Sequence, residues 1–221
     1  MPELSRTVIC AGGETSSLAF YQGLALQDSY LVAVDRGLDL VFRLGLTPDL
    51  YVGDGDSVAE GGVERLDPSH TRIVRLPEHK DVSDLEAALV LLVKMGRSGD
   101  LILLAALGGR VDHLLFNICL AARHVADFES IAMLDEHTLV RPIAGVSELH
   151  LAPGTVVSFL PVAGEIRLTL RGFAYPLEAA RVRRGSTLTL SNVASEAVQH
   201  VDVENGTVVM MASAQPAPVV S

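Results

Sequence analysis

The stretch YLVAVDRGLDLVFRLGLTPDLYVGDGDSV, residues 30–58, decides the fold. Tyr30-Leu31-Val32-Ala33-Val34 is a continuous apolar run, as a strand covered on both faces requires. Asp35-Arg36-Gly37 turns the chain into a helix through about Leu44, which Gly45 and Pro48 stop. Leu50-Tyr51-Val52 is a second strand, and it ends in the acidic loop Gly53-Asp54-Gly55-Asp56-Ser57. Working outward, the same alternation continues on both sides. Thr7 to Ala11 reads as a strand ending in Gly12-Gly13, and a helical pattern covers roughly Ser16 to Gln27. Arg72 to Leu76 is strand-like, and Asp84 to Met95 is a helix closed by Gly96. Leu101 to Leu107, a helix from about Val111 to His124, and Ser130 to Leu134 complete the series. Apolar strands alternating with helices predict an α/β domain with a parallel, Rossmann-like sheet.

From about Val140 the texture changes to short β-rich runs at 155–160, 166–170 and 186–190, punctuated by Gly and Pro. Runs at 197–203 and 207–211 flank Glu204-Asn205-Gly206, whose Asn-Gly step signals a hairpin. The expected organisation is an α/β domain over 1–138, an antiparallel β-sandwich domain over 139–213 and a disordered tail over 214–221.

A formal net charge of −10 argues against a nucleic-acid binder, which needs a basic footprint. An acidic protein that handles polyphosphate has to bring cations with it. The N-terminus shows no basic region followed by a cleavable apolar stretch, so a cytoplasmic location is expected. Cys10 and Cys119 lack metal-ligand spacing and read as buried, reduced thiols.

Carboxylates gather at the ends of strands. Asp54 and Asp56, two apart in an extended segment, would project together around open space at Gly55 and share one divalent cation; the alternative is a plain turn. Lys80-Asp81-Val82-Ser83-Asp84 opens the third helix, where Ser83 and Glu86 fit a capping box. Capping requires neither Lys80, suited to a phosphoryl oxygen, nor Asp81 and Asp84, suited to a metal shell. In Gly108-Gly109-Arg110-Val111-Asp112-His113 the glycines allow close backbone approach, and Arg110 offers a donor fork that Asp112 can orient. Asp35 and Gly37 sit at a strand end, where open α/β sheets bind ligands.

These segments, together with KDVSDLEAAL at 80–89, LGGRVDHLLFNI at 107–118 and RGFAYPLEAARVRRGSTLTLSN at 171–192, resemble the thiamine pyrophosphokinases (thiamine diphosphokinases) along almost the whole chain. The resemblance implies Mg²⁺-dependent transfer of diphosphate from ATP to the hydroxyl of thiamine, releasing AMP, in a homodimer with active sites between subunits. Carried over by position, Asp54, Asp56 and Asp81 are metal ligands, and Asp84 and Lys80 join them in the catalytic cluster. Asp35, Gly37, Gly109, Arg110 and Asp112 hold ATP, and Ser191 and Asn192 lie on the thiamine side. A carboxylate not saturated by metal takes the hydroxyl proton, Asp81 being preferred. Three positions depart from the pattern. Gly55 stands where a bulky residue is usual, Arg36-Gly37-Leu38-Asp39 replaces Gly-Gly-Ala-Asn, and no Trp is present to stack on thiamine, leaving Tyr175 or Phe173. Two other readings remain: a pyrophosphokinase for another hydroxymethyl heterocycle such as a pterin, and a non-catalytic nucleotide- or thiamine-binding protein.

Overall fold

The computed structural model describes residues 6–59 and 61–213; the expected tail at 214–221 lies outside them. They divide into two compact units. One runs to Leu120 and resumes over Asp127–Asp135, and the other comprises Ala121–Ala126 and the chain from Glu136 onward.

In the first unit, β1 (Arg6–Cys10), β2 (Tyr30–Val34), β3 (Leu50–Gly53), β4 (Arg72–Arg75), β5 (Asp100–Leu104) and β6 (Ser130–Leu134) form a parallel sheet in the order β6-β5-β1-β2-β3-β4. All of β3, and all but the first residue of β1, β2, β5 and β6, is buried, which is why these strands are apolar throughout rather than alternating. The chain builds outward from β1 to β4 and then returns to β5 on the other side of β1. The strand order therefore reverses between β1 and β5, where an open sheet leaves a crevice.

Helices α1 (Leu18–Gln22), α2 (Gly37–Arg43), α3 (Asp84–Lys94) and α4 (Val111–Arg123) fill the connections. In α3 the Ser83 hydroxyl accepts from Glu86 N–H, and Leu85, Ala88, Leu89 and Leu92 form the buried stripe expected of a 3.6-residue period. The helix expected over Ser16 to Gln27 is broken. After α1, Gly23 caps it, Ala25 takes a left-handed φ of 46°, and only a 3-10 turn follows over Leu26–Asp28. Cys10 is buried, which pushes its thiol up to about 12, whereas Cys119 is exposed on α4 and is not the buried thiol expected. No helix among the described residues is long and apolar enough to cross a membrane.

The second unit is antiparallel: β7 (Thr138–Leu149), β8 (Val156–Pro161), β9 (Glu165–Arg171), β10 (Leu177–Arg183), β11 (Asn192–Val193) and β12 (Gln199–Ser213). The Asn-Gly step does not make a hairpin. Residues 199–203 and 208–213 both pair with β7 and run in one direction; Asn205 at φ 64° and Gly206 at φ 154° form a bulge between them. Across that bulge β12 changes partner from β9 to β8, so one long strand serves two layers. Phe159, Leu168, Leu170, Val201 and Met210 lie in the core they enclose. The expected strand at 186–190 is a turn. Leu190 N–H donates to the Thr187 carbonyl, and the buried Thr189 hydroxyl donates to the Phe159 carbonyl.

Candidate active site

Asp35 follows β2 directly with φ 50°, a conformation few side chains tolerate, and its N–H donates to Val52 O of β3 at 2.9 Å. That close approach needs Gly53, where a Cβ would stand 3.1 Å from Asp35 Cα and 2.8 Å from the Tyr51 hydroxyl. The chain after β3 is not extended as expected. It bends, Asp56 N–H donating to Asp54 Oδ1 at 3.2 Å, and Gly55 takes φ 85°. Nor is the space at Gly55 open: a Cβ there would meet Val63 Cγ2 at 3.3 Å.

The result is a trio. One carboxylate oxygen from each of Asp35, Asp54 and Asp56 lies within 4.8 Å of the others. Lys80 Nζ bridges Asp54 Oδ2 at 2.9 Å and Asp84 Oδ1 at 3.2 Å, and these three side chains are 12–20% exposed. The Lys80 hydrogen bond holds the Asp54 carboxyl below its usual range, and the same bond raises Lys80. Asp56 is raised because it shares a hydrogen bond and repulsion with Asp54. Burial raises Asp84 against the pull of Lys80. Lys80 pairs with Asp54 and Asp84, and with Asp35 and Asp56 also in the cluster negative charge is in excess. Asp35 Oδ1 and the Tyr51 hydroxyl are buried without a hydrogen-bond partner. An all-oxygen donor set with an unpaired acceptor fits a hard divalent cation such as Mg²⁺. Asp81, expected among the ligands, is exposed and lies outside the trio, whose third member is Asp35.

The second constellation lies at the strand-order reversal. Gly13 N–H donates to Ala105 O at 2.9 Å, and a Cβ on Gly13 would stand 2.5 Å from that oxygen. Gly108 and Gly109 pack against Glu14, and Asn117 Nδ2 of α4 donates to Ala106 O at 3.0 Å. Arg110 grips Asp112 through Nε at 3.0 Å and Nη2 at 2.5 Å, holding that carboxyl down at about 2; both are exposed. Beside this turn a cavity of about 460 Å³ is lined by Ala11, Gly13, Glu14, Thr15, Arg36, Asp39, Leu40 and Arg43. Arg36 donates from Nε and Nη2 to Gly12 O at 3.1 and 2.7 Å and so pins the β1 loop. Gly37 has a packing reason of its own: a Cβ there would lie 1.9 Å from Cys10 O.

In the second unit Ser191 is exposed at φ 58°, and its N–H donates to Ser158 Oγ. Asn192 is buried. Its Oδ1 accepts from Tyr175 N–H at 3.0 Å and Val193 N–H at 2.8 Å, and its Nδ2 donates to Tyr175 O at 2.8 Å. Of the two aromatic alternatives, Phe173 is buried edge-on against Phe159, whereas Tyr175 is exposed.

Sequence reasoning missed three contributors: Tyr51 and Arg36 by their contacts, and Asp35 as a member of the carboxylate trio. The Tyr51 signal was its position two residues before Gly53 on one strand face. Nothing in the spacing announces the Arg36–Gly12 bond.

A family model described as "Thiamin pyrophosphokinase, catalytic domain" matches residues 21–133, half of the chain, and "Thiamin pyrophosphokinase, vitamin B1 binding domain" matches residues 137–208. The chain belongs to the thiamine pyrophosphokinase family. The thiamine pyrophosphokinase of Bacillus subtilis (strain 168) is 29% identical over 188 residues, covering 83% of this chain and 87% of that one. The crystal structure of thiamine pyrophosphokinase from Bacillus subtilis superposes with a TM-score of 0.83 at 25% identity, covering 95% of this chain and 99% of that one. The family member from Geobacillus thermodenitrificans gives 0.79 at 28%, covering 95% and 98%. That from Candida albicans, 14% identical with a TM-score of 0.76 over 95% of this chain and 89% of that one, shares the fold. The catalytic-domain match of the family contains the carboxylate trio, Lys80, Asp84 and Arg110, and the vitamin B1 match contains Ser191 and Asn192.

Proposed function

We propose that the protein is a thiamine pyrophosphokinase, transferring diphosphate from ATP to the hydroxyl of thiamine to give thiamine diphosphate and AMP. The observation that carries this reading is the trio Asp35, Asp54 and Asp56 with an unpaired buried oxygen, inside the catalytic-domain match of a family with that activity. On this reading the parallel sheet is a Rossmann-like nucleotide-binding domain (1–138) and the β-rich unit a sandwich that binds thiamine (139–213). The enzyme is cytoplasmic and homodimeric with its active sites between subunits, which the exposed apolar face of α4 at Val111, Leu115 and Phe116 supports.

Asp35, Asp54 and Asp56 hold Mg²⁺, which when bound neutralises the polyphosphate and polarises the phosphoryl group under attack. Lys80 exchanges Asp54 for phosphoryl oxygens, Asp84 keeping it oriented. Arg110, held by Asp112, and the glycine turns at 12–13 and 108–109 receive the nucleotide, whose nucleoside end enters the cavity beside Arg36 and Arg43. In the second unit Ser191 and the Tyr175 ring, fixed by Asn192, face thiamine. The thiamine hydroxyl oxygen bonds to the β-phosphorus as the bond from that phosphorus to the α-phosphate oxygen breaks. AMP departs with the electron pair, and Asp81, outside the trio, takes the hydroxyl proton.

The test is incubation with Mg-ATP and thiamine, and separately with a hydroxymethylpterin, following AMP and diphosphorylated product by chromatography. Thiamine diphosphate with equimolar AMP is expected. Product from the pterin alone would overturn the acceptor, and no AMP from either would overturn the reaction.

A further inference from the structure

Tyr51 is among the largest fully buried side chains of the molecule, yet its hydroxyl has no hydrogen-bond partner. Its place explains why that matters. On β3 the side chains of residues 51 and 53 share a face, and the absent side chain of Gly53 leaves the hydroxyl and the Asp35 backbone in one small volume. Gly55 also lies near the hydroxyl, which is buried from solvent. The carboxylates that bear on it are Asp35, Asp54 and Asp84, and Asp35 Oδ1 is itself buried and unpaired. An unpaired hydroxyl and the residue that carries an unpaired carboxylate oxygen therefore both lie against Gly53. Burial, with Asp35, Asp54 and Asp84 adding to it, pushes the Tyr51 phenol above its ordinary value, so it is a donor at neutral pH.

We propose that Tyr51 is a positioning residue for the cation site, its hydroxyl donating to a carboxylate oxygen of the trio once a divalent cation draws those oxygens into place. The inference rests on the reading of Asp35, Asp54 and Asp56 as ligands of Mg²⁺. Groups that hydrogen-bond to metal ligands in this way change metal affinity about 10- to 100-fold when removed.

The test is calorimetric titration of the full chain with Mg²⁺ alone, on wild type, Tyr51→Phe and Asp54→Asn, with the melting temperature of each metal-free protein. Tyr51→Phe is expected to melt at or above the wild-type temperature, since it deletes an unsatisfied polar atom, and to bind Mg²⁺ about 10-fold more weakly. Unchanged Mg²⁺ affinity would overturn the proposal. So would weaker binding with a lowered melting temperature, which would mark the hydroxyl as a structural group. Asp54→Asn separates this from the underlying reading: if it binds Mg²⁺ as wild type does, the cation site itself is wrong.

Discussion

The acidic end of the parallel sheet and the Ser191-Asn192 segment of the β-rich unit both carry polar residues that a sequence reader marks as functional, but the structure treats them oppositely. Asn192 has both ends of its amide bonded to the backbone of Tyr175 and Val193. At the sheet end, Asp35 Oδ1 and the Tyr51 hydroxyl are buried without a partner, and Lys80 pairs with Asp54 and Asp84 beside a trio of carboxylates. A satisfied buried polar group builds the architecture; an unsatisfied one calls for an explanation, and here the carboxylate trio supplies it.

The largest effect that would sharpen this contrast is on turnover. Asp54→Ala is expected to lower thiamine diphosphate formation by about 100-fold or more while the protein keeps a cooperative thermal melt, Lys80 retaining Asp84 as a partner. A collapsed melt would make Asp54 structural, like Asn192. The converse variant, Asn192→Ala, leaves two backbone N–H groups without their acceptor and is expected to cost about 2 kcal/mol in urea denaturation. Mg²⁺ affinity should be untouched, and a stability loss below the error of the measurement would break the contrast from the other side. Arg36→Ala removes two hydrogen bonds to the Gly12 carbonyl on an exposed side chain. A several-fold rise in KM for ATP, with kcat and stability near wild type, is expected from steady-state kinetics, at a stability change within about 0.5 kcal/mol.

The smallest effect concerns pH. The Arg110 pair depresses Asp112 to about 2, below the roughly 3.9 of an unfolded aspartate. Its stabilisation is therefore complete above about 3.9 and lost as pH falls toward 2. The stability difference between wild type and Asp112→Asn should shrink over that acid window and stay flat at neutral pH. Both groups are exposed, so the difference is slight at any pH.

Much of the fold was legible because continuous apolar runs leave few alternatives: Tyr30–Val34 and Ser130–Leu134 are strands to the residue. The Asn205-Gly206 step misled because positive φ serves a hairpin and a bulge equally; only the length of β7, which pairs with both flanks, decides between them. Residues 186–190 alternate like a strand, but Thr189 bonds its hydroxyl to the Phe159 carbonyl and holds a turn. At the site, Asp54, Asp56 and Lys80 could be read from their clustering. Asp35 joined the trio only through the pairing of β2 with β3, a contact that spacing along the chain does not encode.

The measurement that tests the central claim most directly is product formation by Asp56→Asn, with AMP and thiamine diphosphate quantified from Mg-ATP and thiamine in a preparation whose melting temperature matches wild type. Loss of both products together, by about 100-fold or more, is the expected result. Near wild-type yields of both would contradict the claim.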